Sequence, residues 1–455
     1  MLAKWCRALL GLCGVLAIAS LLPNLGAQDK PQAEAAQGAA APSDAASSDA
    51  KARIKSLREL GKSGSEAIPK ITPYLSDPEV EVRLEAVKAI VNIGTQESLD
   101  PLITATRDID PEIQIRAIDG LVNFYVPGYV KTGLTASLRR AGSSIKAKFT
   151  DSNNLVIDPY FEVRPEVIAA LGRVVSGGSS LDARANAARS LGILRGQAAV
   201  GDLEQALRSK DSQLIYESLV ALEKIRDESA GPSVAFLLHD LNEKVQLAAI
   251  EATGLLMNRA ATNDLRDVLD RSKNMKVKRA ALTALAQMPD PSLHGLYTTY
   301  LDHKDEGLRE AAAEGLGRLK NPDDLPVLER AFSNEDKTEP RLSAAFALVD
   351  LGKRGMADFD SLRYLVNNLN STAYRGVARA YLMELARDPE VRQALYPALT
   401  APGATKDEKT GLAEVLAAGG GQDSIAPLEA LSRDPDAEVA EAGLRALKNL
   451  HARVP

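Results

Sequence analysis

Beyond residue 27 the chain has no cysteine and no tryptophan: Cys6, Cys13 and Trp5 all stand near its beginning. A disulfide framework and thiol chemistry are thereby excluded from the rest of the protein. Aromatics amount to only 4% of residues, so a core must be assembled from Ala, Leu, Val and Ile packed closely between helices rather than around large anchors. Histidine is scarcer still. His239, His294, His303 and His451 stand in four unrelated contexts, with no HExxH, HxH or His-Glu pair, which leaves no metal-ligand spacing and no expected metal or cofactor. SSIK at Ser143 and KTG at Lys131 are fragments of an acyl-enzyme signature in the wrong order, without a Ser-Asp-Asn, and GKS at Gly61 lacks the earlier glycine of a phosphate loop. No catalytic residue is expected. Positive charge is also in deficit, because the formal net charge is −6 and the loss of Lys4 and Arg7 with an export segment would take it to −8. That balance excludes general nucleic-acid binding, which needs a basic field to neutralise phosphates.

Lys4 and Arg7 form a basic start, Ala8 to Leu22 is apolar apart from Ser20, and Leu25, Gly26 and Ala27 offer a cleavage site. Residues 1–27 therefore read as a signal peptide, cut near Ala27, and the expected location is the periplasm or the extracellular space. The apolar run is shorter than the ~20 residues a spanning helix needs, so no transmembrane span is expected in the mature chain. Residues 28–50 are Ala, Pro, Ser, Gln and Asp with almost nothing to bury, the composition of a flexible tether.

After this tether the chain becomes repetitive. Related segments begin at Asp77 (DPEVEVRLEAVKAIVNIG), Asp110, Asn242, Asn274, Asp305 (DEGLREAAAEGLGRL) and Asp434. An arginine recurs at Arg83, Arg116, Arg184, Arg279, Arg309, Arg341 and Arg375, with Tyr216 and Gln246 in the intervening slots. Steps between markers are 30 to 34 residues apart from one of 68, between Arg116 and Arg184, which reads as two units without a marker between them. Within a unit the apolar spacing is helical: Val80, Leu84, Val87 and Val91 predict one buried stripe. Asp or Asn before the helix can cap its free amides, Pro78, Pro111 and Pro435 suit its first turn, and Gly94, Gly192 and Gly352 can close it. A second helix precedes each of these, as in SLDPLITATRD from Ser98 and DLPVLERAFSN from Asp324. One such hairpin cannot bury both its apolar faces, so the units must stack. The expected fold is all-α: an α-solenoid of about eleven helical hairpins, with repeats at 51–120 and 162–455.

These residues resemble the HEAT-like repeat family, in particular the bacterial phycobilisome-lyase-type repeats, whose Asp, Val-Arg, Ala-Ala-x-Ala-Leu-Gly pattern is similar to Asp305–Leu319. The resemblance implies a superhelix that binds other macromolecules along a concave face lined by the second helices. It also implies that the arginine series is a structural ladder between repeats, and it leaves a lyase-type enzyme or enzyme accessory subunit as an alternative.

The pattern breaks at 121–161. That stretch holds Phe124, Tyr125, Tyr129, Phe149, Tyr160 and Phe161, six of the chain's 18 Phe and Tyr residues, and carries Lys131, Arg139, Arg140, Lys146 and Lys148 with no acid from Gly120 to Thr150. SIKAKFT, a DSNN turn and LVI predict a β-hairpin with one basic face. Insertions in solenoids project from one face and often bind. Tyr125, Tyr129, Lys131, Arg139, Arg140, Lys146, Lys148 and Phe149 are accordingly the candidate binding residues for an acidic protein partner or an anionic envelope polymer. The functional expectation is a monomeric, non-catalytic protein-binding scaffold using the concave face, this insertion, or both; a cell-wall or anionic-surface binder is the alternative.

Overall fold

The computed structural model describes residues 49–129, 155–158 and 160–454. Among them there is no strand, and twelve helices repeat one theme. We label these α1 (Ala50–Leu60), α2 (Val80–Ile93), α3 (Pro111–Tyr125), α4 (Leu181–Ile193), α5 (Ser212–Ile225), α6 (Glu243–Leu255), α7 (Met275–Gln287), α8 (Glu306–Leu319), α9 (Thr338–Asp350), α10 (Arg375–Leu385), α11 (Lys406–Gly419) and α12 (Ala437–His451). Each from α2 onwards is preceded by an outer helix or a 3₁₀ turn, such as Leu99–Ala105, Pro165–Gly177 or Leu325–Asn334. The result is eleven hairpins led by the lone helix α1, an α-solenoid.

Helix starts follow from the capping side chains. Asp110, Asn242, Asn274, Asp305 and Asp436 accept hydrogen bonds from first-turn amides of α3, α6, α7, α8 and α12. Gly94 ends α2 in the left-handed conformation at φ 59°. Gly192 serves differently from the expectation, because α4 runs through it to Ile193. A Cβ there would lie 2.8 Å from Ala221 Cα of α5, and the same close approach brings Gly254 to Ala284 and Gly317 to Ala347. Successive long helices thus touch nearly backbone to backbone, while the outer helices mainly contact their own partners. We call the layer formed by α1–α12 the inner layer.

Sandwiching between two neighbours also corrects the expected stripe on α2. Val80 is exposed, whereas Val82, Ala86, Val87, Ala89, Ile90 and Val91 are buried, because the helix meets α1, α3 and its own outer helix on different sides. The 68-residue step is one unit and a connection, not two units. Asn186 Nδ2 of α4 donates to Asp119 Oδ1 of α3 at 3.0 Å, and Ser179 donates to Gln114 Oε1, so α3 and α4 are direct neighbours.

Side chains in the arginine slot share a local role, which is to reach back to the last carbonyls of the outer helix in their own hairpin. Arg83 Nη1 donates to the carbonyls of Asp77 and Pro78, Arg309 Nη1 to those of His303 and Lys304, Arg184 Nε to Val175, Arg375 Nε to Leu369, and Gln246 Nε2 to Leu238. Free carbonyls at a helix end need such donors. Where the residue is long enough and the next repeat supplies an acid, the remaining nitrogens cross the interface. Arg83 grips Asp108 at 2.7 and 3.2 Å, Arg279 grips Asp305 at 2.6 and 2.7 Å, and Arg309 grips Glu335 at 2.7 and 2.9 Å. Arg375 reaches Asp407 at 2.7 Å. The ladder extends beyond the arginines seen in sequence, since Arg53 pairs with Asp77 and Lys409 with Asp434.

It is also interrupted. Arg116 turns to Glu112 on its own helix, and Arg341 lies 4.9 Å from the rings of Phe332 and Tyr364 instead of crossing to an acid. At Gln246 the facing position is Ser272, and the space an Arg–Asp pair fills elsewhere is an open cavity of about 450 Å³ lined by these two with His239, Asp267, Val268 and Arg271.

Two substitutions test the ladder by thermal or urea unfolding. Asp305→Ala removes both a cap and a bidentate partner, so it is expected to cost roughly 2–3 kcal/mol. The pair Gln246→Arg with Ser272→Asp builds a missing rung and is expected to add about 1 kcal/mol, the net worth of a partly buried charged hydrogen bond.

Candidate binding face

Polar side chains gather on the inner layer in three places. Near the first third, Arg189 of α4 pairs with the buried Glu217 of α5 at 2.8 Å, Gln213 Nε2 donates to Glu217 at 2.6 Å, and Lys244 Nζ stands 3.6 Å above the Tyr216 ring. Burial raises the Glu217 carboxyl while Arg189 opposes it; burial also pulls Lys224 down to about 8 against the pull of Glu217. Further along, Arg318 of α8 is held by Glu314 at 2.7 Å and by both oxygens of Glu384 at 2.8 Å, with its guanidinium 4.9 Å from the Phe346 ring. Tyr381 joins that network, donating to Glu314 and lying 2.8 Å from Ser343 Oγ. The first cluster ties α4 to α5, and the second ties α8 to α10 across α9.

Between them lies the third place, a groove of about 460 Å³ running across α6, α7, α8 and α9. Its charged lining is Glu251, Glu306, Glu310 and Glu339, with Lys276 and Arg279 at its edge and Leu247 and Ala280 on its floor. The cations are already engaged, Arg279 with Asp305 and Lys276 with Glu243 at 3.5 Å. None of the four glutamates has an ion pair among the described residues. Burial, then the charges of Glu314, Glu339 and Glu306, push the Glu310 carboxyl up to about 7. Burial raises Glu251 as well. Uncompensated like charge is destabilising, and Glu306, Glu310 and Glu314 at i, i+4 and i+8 repeat it along one helix. Among the described residues no cation pairs with these glutamates.

Of the expected site residues, Tyr125 and Tyr129 are described. Helix α3 continues through Phe124 and Tyr125, so the repeat does not end at residue 120. Tyr125 is a core residue, 8% exposed, whose hydroxyl accepts from the Arg164 amide at 3.1 Å, a contact that ties the returning chain to α3. Its apolar surroundings, Leu121 and Val122, are buried with it. Tyr129 is half-buried over the first cluster, where burial and Asp119 raise its hydroxyl to about 12. Lys131, Arg139, Arg140, Lys146, Lys148 and Phe149 lie outside the described residues, as does most of the expected β-hairpin. Its last part, Leu155–Ile157, is described and is not a strand; the Ile157 amide donates to the Ile193 carbonyl at the end of α4. Sequence reasoning missed the groove glutamates, although the like-charge spacing in DEGLREAAAEG was open to view.

A family model of HEAT repeats matches residues 43–122 and 262–349. Those two stretches carry HEAT repeats. The two matched stretches contain four cross-repeat pairs, those of Arg53, Arg83, Arg279 and Arg309. No curated protein matches the chain. Among solved structures, the complex of CpcE and CpcF of phycocyanin lyase from Nostoc sp. PCC7120 is 18% identical, with 66% of this chain and 92% of that chain covered at a TM-score of 0.31. Kap121p bound to Nup53p is 12% identical, with 88% of this chain covered at a TM-score of 0.37; the match spans 47% of Kap121p. Human deoxyhypusine hydroxylase in complex with glycerol is 20% identical, covering 63% and 96% at 0.27. Among the described residues no group of three or more His, Cys, Asp or Glu could hold a metal ion.

The raised carboxyl makes a pH prediction. Glu310 has its folded value above its ordinary value of 4.5, so the folded state favours the protonated form. Stability is then highest below that ordinary value and falls as pH rises toward about 7. Glu310→Gln is expected to raise the unfolding midpoint at pH 8 and leave it nearly unchanged at pH 4.5, which thermal melts at the two values would show.

Proposed function

We propose that this chain is a non-catalytic, protein-binding scaffold of the periplasm or extracellular space, and that its inner face takes a basic segment of a protein partner. The observation that carries the reading is the groove across α6–α9, with its four glutamates free of ion pairs. A lysine or arginine side chain inserted there meets several carboxylates, and its aliphatic stem meets Leu247 and Ala280. Such a contact relieves repulsion already present in the free protein, so charge pairing adds to affinity more than it does between two ordinary exposed groups. The stacked HEAT repeats supply a long, pre-organised surface, and a rigid surface loses little freedom on binding.

The export part of the reading rests on Lys4, Arg7 and the apolar run Ala8–Leu22 ahead of Ala27. Among the described residues no helix is long and apolar enough to cross a membrane. The non-catalytic part rests on how the polar clusters are used: Arg189–Glu217 and Arg318–Glu314–Glu384 pair with one another and join helices. An anionic envelope polymer held by the cations of the 121–161 segment is the competing partner, favoured by its lysines and arginines alone.

Fluorescence anisotropy with the full chain and labelled oligo-lysine or oligo-glutamate peptides separates the two. Oligo-lysine is expected to bind, and the variant Glu251→Gln, Glu310→Gln, Glu339→Gln to bind it about tenfold more weakly, the sum of three modest charge contacts. Equal binding by that variant, or a preference for oligo-glutamate, would remove the inner groove as the site.

A further inference from the structure

The inter-repeat hydrogen bonds described above span one unit or, for Arg318 and Glu384, two, but one contact joins residues 287 positions apart. Arg445 of α12 donates through Nε to Asp158 Oδ2 at 3.1 Å and through Nη2 to Oδ1 at 3.2 Å, and Asn449 Nδ2, one turn further on, reaches Oδ1 at 3.5 Å. The carboxylate they meet is firmly placed. Ile157 beside it is 7% exposed within the hydrophobic cluster of the first repeats, and its amide is the one bound to the Ile193 carbonyl. Asp158 also faces Arg195 at the end of α4, where its charge opposes the burial and the Arg226 repulsion that lower that guanidinium. The last helix of the array is thus brought back against the third hairpin, with the groove of α6–α9 on the repeats between.

We propose that Asp158, Arg445 and Asn449 form a clasp that closes the superhelix on itself, and that ionic strength sets the balance between closed and open forms. The other side-chain links described above span one or two units, so small rotations still accumulate along the stack between its ends. A bidentate pair across the gap therefore biases the pitch of the whole turn. Its strength is kept modest by its surroundings: the Arg445 side chain is 63% exposed and Asp158 23%, so the pair is open to screening by salt. A contact of that size selects between two conformations without locking either. That an opened clasp widens access to the inner groove is a corollary that rests on the inner-face reading; the closure does not.

The test uses the full chain with Cys6 and Cys13 replaced by Ser, which leaves no native cysteine. Donor and acceptor dyes at Glu162→Cys and Lys448→Cys, both exposed positions beside the clasp, report closure by energy transfer. Transfer is expected to be high at about 50 mM salt and to fall at about 0.5 M, where the screening length is a few ångströms. Arg445→Ala should lower the closed-to-open ratio about 1.5- to 5-fold. Arg445→Asp should lower it further, and the swap Asp158→Arg with Arg445→Asp should restore it. Circular dichroism identical across the variants confirms that the repeats stay folded. Transfer in Arg445→Asp equal to that of the parent, or a swap that restores nothing, would overturn the clasp. Because the readout contains no ligand, it fails or succeeds independently of the oligo-lysine experiment.

Discussion

Everything in this structure depends on a hairpin of some thirty residues being too small to hide its own apolar surface. Helix α6 shows the consequence most directly. Its Ala248, Ala249 and Ala252 belong to the hydrophobic cluster that begins at Leu57, while Ile250 belongs to the one that ends at Leu450. Burial on both sides forces small residues at the interfaces, since helices whose backbones nearly touch, as at Gly254 and Ala284, leave no room for a larger side chain. The low aromatic content is the compositional trace of that geometry. Among the few buried rings, Tyr297 is admitted by Gly315, where a Cβ would lie 2.6 Å from the ring.

Polar chemistry is layered on this packing. The slot side chain bonds carbonyls at the end of the outer helix in the units of Arg83, Arg184, Gln246, Arg309 and Arg375 and, where an acid is present across the interface, links one unit to the next. Arg279 and Arg309 hold Asp305 and Glu335 below their ordinary carboxyl values, so these pairs stabilise the folded array down to acidic pH. The groove glutamates act in the opposite sense. Their repulsion is a standing cost to stability, which is the signature expected of residues kept for contact with something else. Ladder and groove share helices α7 and α8, so one pair of elements carries the strongest links and the least compensated charge.

The period, the caps and the paired helices were legible in sequence because each is local: Asp110 or Asn242 signals its helix from within four residues. The extent of the insertion was less legible. Phe124 and Tyr125 looked like part of an aromatic surface because the repeat marker had vanished, and only the tertiary position of Arg164 shows that the Tyr125 hydroxyl faces inward. The 68-residue step misled for a similar reason, since spacing alone cannot separate a missing marker from a long connection. Glu306 and Glu310 read as an ordinary solvated face until α6, α7 and α9 are placed around them. Asp158 and Arg445 carry no sequence signal at all, because nothing local relates residues so far apart.

Stacking of self-similar units is tested most directly by excising one whole unit, residues 290–320, and separately the single helix within it, 306–320. The first excision joins equivalent points of successive repeats and brings Glu335 into the place Asp305 holds opposite Arg279. If the units stack as described, this protein keeps its helicity per residue and unfolds in urea with a slope reduced only in proportion to its length, whereas the half-unit excision unfolds locally and loses helicity. A whole-unit excision as damaging as the loss of the single helix would contradict it.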